Sequence, residues 1–186
     1  MRIAVRGRAA VPAVVSLFAV VPLLAAVPAR AGAAGPTTDA TCVLNAHGVF
    51  ATALGPGGTD LPVVDTLAMT GTVSCVDAAG APSATGTFER TVTMPAAECT
   101  GDEHGDTSTT TVHWLDRTVS TFRFDRIDVV KVNGTASLTV TGAVTPDSAR
   151  FAGDTVNAVG TSTGTGCGTP AGETAADSTL VLRLTH

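Results

Sequence analysis

Six consecutive residues, Gly101-Asp102-Glu103-His104-Gly105-Asp106, hold three carboxylates and an imidazole. These are the donor types that calcium and other divalent cations take. Asp102, Glu103, His104 and Asp106 are therefore a candidate metal site. The order does not follow the Asp-x-Asp-x-Asp-Gly pattern of an EF-hand loop, and a solvated acidic loop is the competing explanation.

A second group is aromatic. His113 and Trp114 precede a turn, and Phe122 and Phe124 follow it. Together they are candidates for a ligand or partner site. His113 is also the histidine best placed to act as a base, since it shares a stretch with Ser120, and serine, histidine and carboxylate can meet in space without any sequence motif. No Gly-x-Ser-x-Gly elbow or Ser-x-x-Lys motif occurs. Asp125 and Asp128 as paired acids for glycoside hydrolysis read better as edge and turn residues. A binding module is thus expected ahead of an enzyme. The glycine-rich run 160–168 lacks the lysine and following helix of a phosphate loop, so no cofactor is expected.

These groups must be positioned by strands. Asn133-Gly134 is the strongest hairpin signal, because a type I′ turn needs φ > 0 at both positions. Folding there sets Ile127 and Val129 opposite Val140 and Leu138. Thr145-Pro146-Asp147-Ser148 has turn chemistry, and a fold at that point sets Phe151 over Gly142. Leu115-Asp116-Arg117-Thr118 closes a third hairpin, with Trp114 against Val119. On a straight chain Phe122 and Phe124 then fall on the face opposite Trp114, Ile127 and Val129, beside His113. Either a bulge near Asp125-Arg126 returns both rings to the core, or that face is an exposed partner patch.

Elsewhere alternation marks a strand over Thr41 to Leu54, a second around Leu67, Met69, Val73 and Cys75, and a third around Phe88, Val92 and Met94, ending at Pro95. A last strand carries Leu180, Leu182 and Leu184 on one face. Residues 95–107 and 157–177 read as long loops, the latter rich in Gly, Thr and Ser. No stretch holds a helical period. The fold expected is all-β, an antiparallel meander of about eight strands closed into an up-and-down barrel, with a β-sandwich as the alternative.

Arg2, Arg6 and Arg8, the apolar run from Ala9 to Val27, and Ala29-Arg30-Ala31 make residues 1–31 a cleavable export signal. Residues 32–40 are a disordered spacer, and 41–186 a single domain. Losing the signal removes four arginines from a chain whose formal charge is already −5. Nucleic acid is therefore an unsuitable partner. No later segment is long and apolar enough to anchor the mature chain in a membrane. An oxidising compartment makes two disulfides from Cys42, Cys75, Cys99 and Cys167. The glycine turn at 55–60 lies midway between Cys42 and Cys75, which pairs them and leaves Cys99 for Cys167.

With the export signal, the four cysteines, Trp114 beside its turn, and the phrase Gly142-Ala143-Val144-Thr145-Pro146-Asp147-Ser148-Ala149-Arg150-Phe151-Ala152-Gly153 in view, residues 42–186 resemble small secreted four-cysteine β-barrel (calycin-like) proteins of actinobacteria. The resemblance implies an exported barrel and carries over no catalytic residue. Function is then expected to be binding, either of a small apolar ligand inside the barrel or of an extracellular protein or envelope partner. The alternative is hydrolase inhibition through a disulfide-anchored loop.

Overall fold

The computed structural model describes residues 37–186; the expected signal peptide, 1–31, and residues 32–36 of the spacer lie outside the described residues. Eight antiparallel strands follow one another: β1 (Thr38–Leu54), β2 (Val63–Asp77), β3 (Pro82–Ala97), β4 (Gly101–Trp114), β5 (Val119–Val132), β6 (Thr135–Val144), β7 (Thr155–Gly164) and β8 (Glu173–Thr185). Each pairs with its sequence neighbour, and β8 pairs back onto β1, so the sheet closes as an up-and-down barrel. Closure removes most of the free edges that a sandwich would leave, the exception being the stretch where β3 and β4 pair at only three positions.

Four expectations need correction. The spacer ends earlier than expected, because β1 already begins at Thr38 and pairs Thr38 with Thr185. The supposed loops are mostly strand: β3 runs to Ala97, β4 starts at Gly101, and β7 and β8 leave only 165–172 between them. Strand β7 escapes a hydrophobicity pattern because its inward residues are small where those of β8 are large, Gly160 facing Leu180 and Ala158 facing Leu182. Phe151 does not lie on Gly142, which is flanked instead by Phe124 and Val156. Phe151 sits in the β6–β7 connection with φ 57° and packs edge-on against Trp114, ring centroids 5.9 Å apart. Finally, Val119 faces His113 rather than Trp114. Trp114 accepts at its carbonyl from Arg117 N and donates its own N–H to Thr118 O, making an odd-membered loop with Arg117 at φ 71°. This three-residue loop, one residue shorter than expected, changes which face the next strand presents.

The barrel is unequal along its axis. At the end where β4 meets β5, the interior is filled by Trp114, Phe122, Val144, Val156 and Leu184. Ser120 is buried among them: Trp114 Nε1 donates to its Oγ (2.9 Å), and that hydroxyl donates to Arg150 O (3.0 Å). Glycines let the wall bend closely around the rings. A Cβ on Gly71 would meet the Phe88 ring at 2.5 Å, and one on Gly86 would meet Trp114 at 2.9 Å.

The expected disulfides are both present, Cys42–Cys75 and Cys99–Cys167. Cys42 and Cys75 are directly opposed in the β1–β2 ladder and buried in the core. Replacing this pair by alanines is expected to lower the unfolding free energy by about 3 kcal/mol, through the freed unfolded chain. Urea denaturation of the oxidised proteins measures it.

Candidate functional site: a side-opening cavity

Away from the packed end the barrel is hollow. A cavity of about 280 Å³ lies among Phe50, Leu67, Val92, Ile127, Val129 and Leu138. A smaller one of about 50 Å³ continues inward beside Leu44, Phe88 and Phe124. Met69, Arg90, Ile127 and Leu138 line both. Together the two spaces just exceed the ~300 Å³ at which small-molecule sites begin.

The wall beside the cavity is incomplete. Strands β3 and β4 pair only through Gly86↔Trp114, Thr87↔His113 and Phe88↔Val112. Beyond Phe88 the strands separate, each held from its far side: β3 by β2, and β4 by β5. The turn at 98–100 closes the slit at its other end by folding over the barrel. There Cys99 O accepts from Gly134 N (3.0 Å), Thr100 Oγ1 accepts from Asn133 N (3.0 Å), and the Cys99–Cys167 bridge fixes the position. The slit therefore gives the cavity a side opening, lined by Val92, Thr93 and Met94 on one strand and by Glu103, Asp106 and Thr107 on the other.

Two cationic groups line this space. Lys131 forms an ion pair with Glu173 (2.9 Å), whose side chain has no exposure, and lies over the Phe50 ring at 5.4 Å. Burial pushes the Glu173 carboxyl above its ordinary value, with Lys131 partly offsetting it. Arg90 has no such partner. Its Nη1 donates to Ser108 Oγ (2.7 Å) and Thr110 Oγ1 (3.2 Å), and its Nε contacts Met69 Sδ (3.4 Å). Its guanidinium lies 6.0 Å from the Phe124 ring centroid. Burial draws it down to about 10, so it stays charged at neutral pH. Among the described residues no carboxylate pairs with it.

The sequence candidates separate in space. Trp114, Phe122 and Phe124 are buried, whereas His113 faces outward. A bulge between Phe124 and Arg126 in the β5–β6 ladder brings Phe122 and Phe124 onto the same face as Ile127 and Val129. The exposed-patch alternative for these rings is thereby overturned, since both are buried in the barrel interior. Ser120 points inward and His113 outward, so they do not meet. The acidic group is likewise divided by strand alternation. Glu103 and Asp106 line the cavity mouth, and Asp102 and His104 are exposed on the outer wall. The four do not converge on one ion. Gly105, with φ 79°, sits where the β4–β5 register shifts and returns Asp106 to the inward side. Burial, then the neighbouring Asp106, raises the Glu103 carboxyl above its ordinary value.

Arg90 was not among the sequence candidates, though a signal existed. It shares strand parity with Phe88, Val92 and Met94, so a cation had to be either inward or a break in the pattern.

The fold and cavity define a closed eight-stranded barrel with a laterally open internal site. No family model, curated protein or solved structure matches the chain.

Proposed function

We propose that this protein is an exported binding module that takes a small, largely apolar ligand into its barrel through the β3–β4 slit. One observation carries this: a mostly apolar cavity of about 280 Å³ with the unpaired cation Arg90 in its wall. A charge held in low dielectric without a counter-ion favours a ligand that brings an acceptor, a carboxylate, sulfonate or polarised carbonyl, to the guanidinium. The apolar lining takes the rest of the ligand by burial. Two disulfides accord with an oxidising compartment. Among the described residues no helix is long and apolar enough to cross a membrane.

Anilinonaphthalene sulfonate, which joins apolar rings to a sulfonate, is a suitable probe. The folded protein is expected to bind one dye per chain with enhanced fluorescence, displaced by a medium-chain carboxylic acid more readily than by the matching alcohol. Leu138→Trp, which fills the cavity, should abolish binding. Arg90→Met should weaken it about tenfold to a hundredfold, the worth of one hydrogen bond to a charged group. Dye binding unchanged by Leu138→Trp would place the ligand elsewhere.

A further inference from the structure

The packed end of the barrel, far from the cavity, carries a cluster with no part in ligand binding. Asp39, Asp154 and His186 come from the start of β1, the residue before β7 and the residue after β8. One ligand-capable atom from each lies within 4.8 Å of the others.

The backbone places all three. His186 is clamped to Thr37 by a reciprocal pair of hydrogen bonds, Thr37 N to His186 O (3.2 Å) and His186 N to Thr37 O (3.0 Å). Asp39 is skipped in the β1–β8 ladder, which passes from Thr38↔Thr185 to Ala40↔Leu184 across a register shift. Irregularities of this kind re-aim a side chain out of the regular alternation. Asp154 donates its N–H to Phe151 O (3.1 Å) and accepts at its carbonyl from Val144 N (2.8 Å). Its side chain is only 2% exposed.

A purely structural role accounts for part of this arrangement. His186 Nδ1 lies 3.2 Å from Asp154 Oδ1, which ties the last strand to the β6–β7 connection. It does not account for Asp154 Oδ2, a buried oxygen with no hydrogen-bond partner among the described residues. Nor does it account for Asp39, a second carboxylate brought up to the first. Two ionised carboxylates can only accept, so their approach is unfavourable unless a proton or a cation comes between them. Burial, reinforced by Asp39 and partly offset by His186, raises the Asp154 carboxyl above its ordinary value. An asparagine would serve a structural role at lower cost.

We propose that Asp39, Asp154 and His186 form a binding site for a divalent first-row cation that accepts mixed nitrogen and oxygen ligands, zinc being the test ion. Imidazole with two carboxylates is a donor set suited to such ions. Ligands ~2.0–2.2 Å from zinc at tetrahedral angles stand roughly 3.3–3.6 Å apart, so the 3.2 Å between His186 and Asp154 needs to widen only by ~0.1–0.4 Å to hold the ion. Water would complete the coordination. The ion would fasten the β1–β8 seam to the β6–β7 connection, where the barrel closes. It would bind the folded state alone and so raise its stability by mass action.

The test is thermal unfolding and calorimetric titration of the chelator-dialysed protein with zinc chloride. The wild type should show one site and a Tm that rises with zinc concentration. Asp39→Asn, Asp154→Asn and His186→Gln should each weaken zinc binding at least tenfold. Asp39 and His186 are exposed, so their variants keep the fold even if Asp154→Asn does not. Without zinc, Asp154→Asn should be at least as stable as the wild type. A wild-type Tm that zinc does not move overturns the proposal. So does zinc binding that persists in full in His186→Gln, which assigns it to His47, His104 or His113 on the outer wall, or a calcium response indifferent to His186→Gln, which assigns a carboxylate-only site.

Discussion

Phe122→Ala is expected to lower the unfolding free energy by about 3–5 kcal/mol. The ring is 2% exposed, lies opposite Thr110 on β4 and Val144 on β6, and stands 6.5 Å from the Phe124 ring. Its removal takes a large apolar surface out of the filled end of the barrel and leaves a void that the closed wall cannot collapse to fill. Against the ~5–15 kcal/mol that holds a domain together, this is a large share. Urea denaturation gives the change directly. A loss below about 1 kcal/mol would mean that the ring is at the surface, the range of substitutions away from the core.

The second large effect lies at the other end. Lys131→Met is expected to cost about 3–5 kcal/mol at neutral pH, because it leaves the fully buried Glu173 without its cation. The sign of the pH dependence follows from the carboxyl being raised in the folded state above its ordinary 4.5. At pH below the unfolded value both states hold the proton and no penalty exists. As pH rises past it, the unfolded chain ionises more readily than the folded one, and stability falls. Lys131 restrains that fall in the wild type. The variant should therefore be close to wild type in acid and increasingly destabilised towards neutrality. Lys131→Met combined with Glu173→Gln should recover most of the loss. A destabilisation that is independent of pH would assign Lys131 a packing role over Phe50 instead.

Much of the fold was legible because strand signals are local. Alternation in β1, β2 and β8 follows from side chains pointing to opposite faces of a pleated chain. Asn133 and Gly134 adopt φ 48° and 78° because the type I′ turn demands it and these residues tolerate it best. The Cys42–Cys75 bridge followed from a glycine turn midway between its ends, and the register confirms direct opposition. The bulge after Phe124 was legible as a conflict: two rings on the wrong face of an otherwise consistent pattern.

Two features were not legible, one set by the geometry of a turn and one by a neighbouring strand. A loop one residue shorter than expected between Trp114 and Thr118, closed by Arg117 in the left-handed region, set the face of β5. Strand β7 shows little hydrophobicity of its own because its glycine and alanine make room for leucines that belong to β8.

The candidate site returns to the stretch 101–106. Sequence by itself determined that carboxylates and an imidazole crowd there, that the chain is all-β, and which cysteines pair, since composition, period and turn chemistry act over a few residues. Only the tertiary structure decided that alternation sends Glu103 and Asp106 inward and Asp102 and His104 outward, that β3 and β4 part beyond Phe88, and that Arg90 stands uncompensated in the space between. Those outcomes depend on closing the sheet around an interior too large for its side chains at one end. Closure joins β1 to β8 across the length of the chain, a distance no local pattern spans.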